Sequence, residues 1–345
     1  MERVVKPKGI FLVLLITLSL VMAACGGGNP SGGQDSSPSG SSGQNSSQNL
    51  PDKVRIGYHP WLANFLVAID QGFFEEAFSE YGVEVEMVKM EQAGPIIDGM
   101  KAGQIDLSSS VSSFVVAGTA SGADLVVLGT AEAAAKSNAI IVPGDSPIQQ
   151  ISDLRGKKVA VVSGSNSHII LVRALESVGL TPNDIELVPL NPTEAVSAFA
   201  SGAIDAWAIW DPFRGSAELG GARTLFDNEK YMVITDHPVA RKAFYDQYPD
   251  LVKVYLEALL KTDRWMKENP DQSKDIWASA NGFQSDVAEI AWGRRGFDLR
   301  PFNDVDREQI AIVTDFYLKQ GIITSAPDVE SRVDNSLIEE ILAAQ

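Results

Sequence analysis

Residues 53–90 read "KVRIGYHPWLANFLVAIDQGFFEEAFSEYGVEVEMVKM" and contain the clearest structural pattern in the chain. "KVRIGY" and "VEVEMVKM" have the composition of strands, and the helical pattern "FLVAIDQGFFEEAFSEYG" lies between them. A strand, a helix and a strand in series are typical of parallel strands joined by a covering helix. The stretch therefore predicts an α/β fold with a largely parallel sheet.

The same alternation continues after residue 90. A helix is predicted for "GPIIDGMKAG", and strands are predicted for "QIDLSS", "ADLVVLG", "AIIV", "KKVAVV", "IELVPL" and "AIDAWAIW"; past Pro238 the pattern is mostly helical. "GMKAGQIDL" at 99–107 and "AFASGAIDA" at 198–206 share a helix end, a glycine and a strand with Ile-Asp. Gly103 and Gly202 suit the left-handed position that follows a helix. The similarity of the two segments either arises by chance or indicates that the chain contains two similar lobes built in series.

The length of the chain agrees with two lobes. It has 345 residues, of which 45% are hydrophobic, and single cores stop growing at roughly 250 to 300 residues. We predict two lobes, each a mostly parallel sheet flanked by helices, with a ligand in the cleft between them. The first lobe is predicted to comprise residues 51–138 and 236–345, and the second residues 139–235.

The N-terminus has the order of an export signal. Three basic residues precede an apolar run from Ile10 to Met22, then Ala23, Ala24 and Cys25. This layout resembles a bacterial lipoprotein signal, which implies cleavage after residue 24 and lipidation of Cys25; an ordinary secretory signal is the alternative. Residues 25–50 are nearly all Gly, Ser, Asn, Gln and Pro, which predicts a disordered tether. We therefore expect an extracytoplasmic protein, lipid-anchored to the outer face of the cell membrane.

The net charge excludes one class of partner. It is −17, and because the first 24 residues carry +2, the remainder carries −19. Nucleic-acid binding needs clustered Lys and Arg, so it is not expected. The sequence has one cysteine, no G-x-S-x-G, H-E-x-x-H or C-x-x-C, and three histidines far apart. We predict a monomeric binding protein with no cofactor, the alternatives being an exported enzyme and a lipoprotein that binds a protein partner.

Two polar helix starts are candidate anion sites. "GSNSHIILVRAL" at 164–175 begins with Ser165, Asn166, Ser167 and His168. A helix N-terminus offers unpaired N–H groups and a partial positive charge, to which these side chains add donors. Ordinary capping by a serine is the alternative. "DLSSSVSSFVVAG" at 106–118 predicts a second such start with Ser109, Ser110, Ser112 and Ser113.

Aromatic residues are the candidate wall of the cleft. "GYHPWLANF" follows the first strand, where open α/β sheets bind ligands, and supplies His59, Trp61 and Asn64. Trp61 either lines the ligand or fills the lobe. "DAWAIWDPF" supplies Trp210 and Asp211, with Trp207 as a core residue or a further candidate. Arg295 and Arg300 are possible charge partners at the rim.

Residues 53–335 resemble the substrate-binding components of ABC importers with the type II periplasmic-binding-protein fold. The motifs that carry the resemblance are "GYHPW", "DLRGKKVAV", "GSNSH" and "IDAWAIWDPF". They are most similar to the aliphatic sulfonate-binding proteins, which are related to taurine and nitrate binders. The resemblance implies a small anionic ligand, an alkanesulfonate or taurine-like molecule with nitrate as the alternative. It also implies delivery to a membrane permease.

Overall fold

The computed structural model describes residues 50–229 and 231–345. The predicted signal, Cys25 and the predicted tether as far as residue 49 lie outside these residues. The described strands are β1 (Lys53–Tyr58), β2 (Glu84–Lys89), β3 (Leu107–Val111), β4 (Leu125–Val127), β5 (Thr130–Ala134), β6 (Asn138–Val142), β7 (Lys158–Val161), β8 (Glu186–Pro189), β9 (Ala206–Trp210), β10 (Arg223–Asp227), β11 (Ile234–Arg241) and β12 (Gly296–Arg300).

Helices alternate with these strands as far as β10 and dominate the chain after β11. They are α1 (Ala63–Asp70), α2 (Phe73–Ser79), α3 (Ala93–Lys101), α4 (Ser112–Ala120), α5 (Asn166–Glu176), α6 (Pro192–Ala200), α7 (Phe213–Leu219), α8 (Lys242–Gln247), α9 (Pro249–Glu268), α10 (Pro270–Asn281), α11 (Ser285–Trp292), α12 (Asp304–Lys319) and α13 (Ser336–Ala343). None of the described helices is both long and apolar enough to cross a membrane.

The strands form two sheets. The first has the order β12-β5-β11-β3-β1-β2, with β4 also paired to β11, and the second has the order β10-β6-β9-β7-β8. The first sheet therefore uses residues 53–134 and 234–300, and the second uses residues 138–227. The chain passes from one sheet to the other twice, between β5 and β6 and between β10 and β11.

The α/β class is confirmed, but both sheets are mixed rather than mostly parallel. β1 pairs parallel with β2 and β3, and β7 pairs parallel with β8 and β9. β11 runs antiparallel to β3, β4 and β5, and β6 runs antiparallel to β9 and β10. The chain reaches β6 and β11 directly from the other sheet, with no described helix before either strand. Parallel neighbours require a helical crossover, so these two strands run antiparallel to theirs. The pattern of residues within a strand does not indicate its direction relative to its neighbours, so the sequence could not predict the antiparallel pairing.

Helices cover both faces of each sheet. In the first sheet, one core contains Phe65 of α1, Phe74 of α2 and Tyr255 of α9, and the other contains residues of α3, α4 and α12. In the second sheet, α5 covers one face and α6 with α7 covers the other. Each sheet thus forms the middle layer of a three-layer arrangement.

The echoed segments have the same local structure. Each is a helix, a glycine and a strand, and Gly103 and Gly202 have the predicted left-handed φ of +69° and +71°. Asp106 accepts a hydrogen bond from the N–H of Arg55 at 3.1 Å, and Asp205 accepts one from Lys158 at 2.8 Å. Each aspartate therefore accepts from a backbone N–H of the neighbouring parallel strand, Arg55 in β1 or Lys158 in β7, which explains the repeated aspartate.

The helix predicted for residues 65–82 is two helices. Gly72 has a φ of +68° between α1 and α2, a left-handed conformation that interrupts the hydrogen-bond ladder. The interruption turns α2 so that Phe74 and Phe78 join the same core as Phe65.

Candidate functional site

A cavity of about 120 Å³ lies between the edges of the two sheets. Its walls come from the loop after β1, from the starts of α3, α4 and α5, and from β5, β6, β9 and β11. The lining residues are His59, Trp61, Leu62, Gln92, Ala93, Val111, Ser113, Phe114, Glu132, Ala134, Ser137, Asn138, Val162, Ser165, Asn166, Trp210, Ile234, Asp236 and Arg295. Both sheets therefore contribute to one cavity, which is partly open to solvent.

Four helices begin at this cavity. The residues at the N-caps of α1, α3, α4 and α5 all line it, namely Leu62, Gln92, Val111 and Ser165. The first three have no side-chain cap hydrogen bond. Their first N–H groups are thus available to a ligand, and the helix dipoles add partial positive charge. The arrangement is suited to an anion with several oxygens.

Of the four polar residues at the start of α5, two line the cavity and two hold the surrounding structure in place. Ser165 and Asn166 line the cavity, and the Ser165 hydroxyl also donates to the Val162 carbonyl at 2.7 Å. The other two predicted residues are not among the lining residues. The Ser167 hydroxyl accepts a hydrogen bond from Asn138 Nδ2 at 2.8 Å, and His168 Nδ1 accepts one from the Gly164 N–H at 3.1 Å. Consecutive helix residues point in different directions, which separates these roles.

The predicted helix start at residues 109–113 is partly a strand. β3 extends to Val111, and Ser109 and Ser110 lie opposite Pro238 and His237 of β11. Ser109 donates to Asp236 Oδ1 at 2.5 Å, so it orients a lining residue without lining the cavity itself. The Ser110 hydroxyl is buried without a partner among the described residues.

Ser112 is the first residue of α4 and is also turned away from the cavity. Its hydroxyl is 2.8 Å from Thr235 Oγ1 and 2.9 Å from His237 Nε2, in a buried polar cluster behind β11. The neighbours Val111 and Ser113 line the cavity instead. The change from strand to helix alters which residues face the cavity, so of the four serines named from the sequence only Ser113 lines it.

The loop after β1 contributes two of its three predicted residues. His59 and Trp61 line the cavity, whereas Asn64 is buried within α1. Burial, followed by the field of Arg295, lowers the pKa of His59 to about 3, so its ring is neutral near pH 7. The Trp61 ring contacts Phe213 edge to face at 5.0 Å, which fixes an apolar wall.

The end of β9 supplies Trp210 but not Asp211. Trp210 lines the cavity, while Trp207 is 1% exposed and belongs to the core. Asp211 is completely buried, accepts a hydrogen bond from the Gly215 N–H and pairs with Arg294 at 3.1 Å. Burial raises the pKa of Asp211 despite these partners. Its contribution to the cavity is indirect, since its carbonyl oxygen accepts from Arg295 Nη2 at 3.4 Å.

Three charged residues complete the cavity, and two of them were not predicted. Glu132 of β5 and Asp236 of β11 are register partners, and Arg295 lies 3.4 Å from Glu132 Oε1. Burial and the neighbouring Glu132 raise the pKa of Asp236 to about 7, and burial also raises the pKa of Glu132. Glu132 and Asp236 could have been noticed in the sequence as single acidic residues within apolar strands. Buried carboxylates are rare unless they are functional.

The remaining candidate is structural. Arg300 pairs with Asp306 at 2.6 Å at the start of α12 and is not among the lining residues. Within residues 50–229 and 231–345, no group of three His, Cys, Asp or Glu side chains is arranged to hold a metal ion.

The NMT1/THI5-like family matches residues 59–273. A Bacillus subtilis (strain 168) protein named for binding aliphatic sulfonates is 31% identical over 337 residues, 96% of each chain. The crystal structure of the Escherichia coli periplasmic aliphatic sulphonate binding protein has a TM-score of 0.77 at 27% identity, over 83% of this chain and 92% of that one.

The alkanesulfonate-binding protein of Xanthomonas axonopodis pv. citri, solved bound to MOPS, has a TM-score of 0.75 at 25% identity, over 82% of this chain and 98% of that one. These relatives are named as binding proteins, and the chain is a binding protein rather than an enzyme. With a family match over most of its folded part and a relative similar over nearly its whole length, the chain belongs to the NMT1/THI5-like family, among solute-binding proteins that include the aliphatic sulfonate-binding proteins.

Proposed function

We propose that this protein captures a short aliphatic sulfonate in the cavity and delivers it to the permease of an ABC importer. The main support for the proposal is that four helices begin at one cavity. The N-cap residues of three of these helices make no side-chain cap hydrogen bond. A sulfonate has three oxygens that accept hydrogen bonds, so it uses several N–H groups at once. Asn166 adds a side-chain amide at the start of α5, where the Ser165 hydroxyl is already occupied by the Val162 carbonyl and the His168 N–H.

The remaining walls suit the carbon chain of such a ligand. Trp61 and Trp210 face the cavity together with Phe114 and Ile234. Nitrate and sulfate leave this apolar surface without a partner, whereas an alkyl group covers it. The volume of about 120 Å³ is slightly less than that of an engineered cavity of about 150 Å³ that holds benzene. The volume therefore favours two or three carbons over eight.

We propose that residues 51–138 with 236–345 form one lobe, that residues 139–235 form the other, and that they close by a hinge. The two connections between the sheets, after β5 and after β10, are the places where such a rotation is absorbed. Several contacts join the lobes in the present arrangement, among them the Trp61–Phe213 ring contact and the hydrogen bond from Arg295 to the Asp211 carbonyl. Tyr317 of α12 donates to the Gly164 carbonyl at 2.5 Å, and Arg294 pairs with Asp211 and Glu218.

We further propose an extracytoplasmic monomer anchored through lipid on Cys25. The support is the order of basic, apolar and small residues before that cysteine. The Gly-, Ser- and Asn-rich composition of residues 25–50, which lie almost wholly outside the described residues, supports a tether between that anchor and the binding protein.

Thermal unfolding in the presence of small anions tests the ligand class. Ethanesulfonate to octanesulfonate, taurine, nitrate and sulfate are compared in a buffer free of sulfonate. A sulfonate at 100 times its Kd is expected to add about 2.7 kcal/mol of stability. For a protein of this size, that corresponds to a rise in Tm of roughly 5 to 10 °C.

The comparison with nitrate is the control for the ligand class. A rise in Tm with nitrate, together with none for any alkanesulfonate, contradicts the sulfonate proposal and leaves the receptor role intact. When all sulfonates are compared at one common concentration, the short members are expected to give the largest shifts because of the volume of the cavity.

A further inference from the structure

Two carboxyl groups and one guanidinium meet on one side of the cavity. Asp236 of β11 is the register partner of Glu132 on β5, so their side chains project from the same face of the first sheet. Arg295 lies 3.4 Å from Glu132, and it also donates to the carbonyl oxygen of Trp61. Among the described residues, no basic group lies within 4.0 Å of Asp236. The guanidinium therefore balances the charge of Glu132, and Asp236 has no such partner.

Asp236 also lies beside a helix start that offers N–H groups to a ligand. On its other side, its register partner is Val111 of β3, which is the N-cap residue of α4. This N-cap makes no side-chain hydrogen bond, so the first N–H groups of α4 are available to an anion. Both Val111 and Asp236 line the cavity. An anion bound at the start of α4 is therefore adjacent to the Asp236 carboxyl, whose Oδ1 is already occupied by the Ser109 hydroxyl.

The surroundings of the two carboxyl groups favour a neutral Asp236. Burial and the charge of Glu132 raise the pKa of Asp236 to about 7, and burial raises the pKa of Glu132 as well. Because Arg295 lies beside Glu132, the proton that the pair holds near neutral pH is on Asp236. The other titratable groups that face the pair or Arg295 are Tyr255 and Asp263 on α9 and His59 in the loop after β1.

We propose that the protein takes up a proton when a sulfonate binds, and that the neutral carboxyl of Asp236 donates a hydrogen bond from Oδ2 to a sulfonate oxygen. This inference rests on the proposed function and assigns a further residue to its binding site. The proton comes from solvent and returns to solvent when the sulfonate leaves. An ionised Asp236 repels the anion instead, in a buried site where charges are weakly screened.

The coupling predicts that the affinity for a sulfonate falls as the pH rises. A bound anion raises the pKa of the adjacent carboxyl above its value of about 7 in the free protein. At pH 6 the carboxyl is already neutral, whereas at pH 8.5 it is ionised and gains a proton on binding. The Kd of propane-1-sulfonate is therefore expected to rise roughly 10- to 30-fold between pH 6 and pH 8.5. Propane-1-sulfonate is itself ionised over this range, so the change reports groups of the protein.

Isothermal titration at pH 8 in phosphate and in Tris, two sulfonate-free buffers with different enthalpies of ionisation, counts the protons directly. The wild-type protein is expected to take up about 0.5 to 1 proton for each propane-1-sulfonate bound. These measurements need no variant. Asp236→Asn is expected to lose the uptake, because an amide does not titrate. Asp145→Asn, at an exposed position outside the cavity, is the matched control and keeps the uptake.

Two replacements of Asp236 separate the hydrogen bond from the charge. In Asp236→Asn, an amide N–H replaces the carboxyl O–H and the amide oxygen still accepts from Ser109. This variant is expected to bind propane-1-sulfonate at pH 8.5 within about threefold of the wild-type affinity at pH 6. Asp236→Leu has a similar shape and no donor, and it is expected to bind roughly tenfold more weakly than Asp236→Asn at every pH.

The outcomes distinguish a failure of proton coupling from a failure of the proposed function. A Kd that stays constant from pH 6 to pH 8.5, or full proton uptake by Asp236→Asn, overturns the coupling at Asp236 and keeps the sulfonate as the ligand. Equal affinities of Asp236→Asn and Asp236→Leu overturn the hydrogen bond. Binding of nitrate without binding of propane-1-sulfonate at any pH overturns both proposals.

Discussion

Ser167 lies in the first turn of α5, one residue after a side chain that lines the cavity. Its hydroxyl accepts a hydrogen bond from Asn138, and Ser137 donates to the Oδ1 of the same asparagine at 2.9 Å. The backbone N–H of Asn138 also donates to Asn228 Oδ1 at 3.0 Å, so a small polar cluster fixes the start of β6. At the scale of single residues, the polar groups near the cavity thus include several that hold its wall.

Replacement of Ser167 distinguishes a role in holding the cavity wall from a role in binding the ligand. Ser167→Ala leaves the Asn138 amide without its acceptor, and we expect the free energy of unfolding to fall by about 1 to 3 kcal/mol. Ligand affinity is expected to weaken less than tenfold, because the hydroxyl does not line the cavity. Urea unfolding and titration with the ligand measure the two effects. Ser79→Ala, which removes an exposed hydroxyl on α2, is the matched control. Unchanged stability with much weaker binding places the hydroxyl at the ligand instead.

Sequence reasoning reached some of these residues and missed others for a physical reason. His59, Trp61, Ser165, Asn166 and Trp210 were found because the ends of strands and the starts of helices are recognisable as patterns. Glu132 and Asp236 are in the interior of strands, and their proximity depends on the pairing of β5 with β11, which are about a hundred residues apart in sequence. Long-range register has no local signal, so the acidic wall required the structure.

At the scale of elements, the positions of the helix starts depend on close packing behind them. α3 and α4 approach each other where Gly118 meets Ile97, and a Cβ at residue 118 would lie 2.6 Å from Ile97 Cγ2. That atom belongs to a stiff β-branched side chain in a buried position. The glycine therefore sets how closely two helices that begin at the cavity can pack.

An added methyl group at this contact is expected to be unfavourable. Gly118→Ala is expected to lower the free energy of unfolding by about 1 to 3 kcal/mol, because the core has no room for the methyl group. Gly293→Ala is the control, since a Cβ there is 3.8 Å from its nearest neighbour; it is expected to be neutral or to stabilise by about 0.4 to 1 kcal/mol. Chemical denaturation of both variants measures the difference, and equal stability of Gly118→Ala and the wild type rules out the steric explanation.

At the scale of the whole molecule, the relation between the two sheets governs access to the cavity. The parallel halves of both sheets were predictable from the alternation of strands and helices, beginning with residues 53–90. The antiparallel strands β6 and β11 were not, because their direction follows from the two passages of the chain between sheets. The proposed hinge closure would depend on those passages and on the contacts between the proposed lobes.

Scattering in solution tests closure directly. Saturating ligand is expected to reduce the radius of gyration of the wild-type protein. Tyr317→Phe removes the hydroxyl that donates to Gly164 and so weakens the closed arrangement by about 0.5 to 1.5 kcal/mol. Ligand binding is then expected to be roughly 2- to 10-fold weaker. The same radius with and without ligand counts against a hinge.

The passages between the sheets have one more consequence, because they form part of the cavity wall. Ala134, Ser137 and Asn138 lie along the first passage, and Ile234 lies at the end of the second. A molecule held between these residues acts as a spacer whose length sets how far the two halves can approach. If the proposed lobes close on the ligand, its length would therefore set the outer shape of the protein. A permease that accepts only the compact shape would reject a long solute that is bound well, so transport can be more selective than binding.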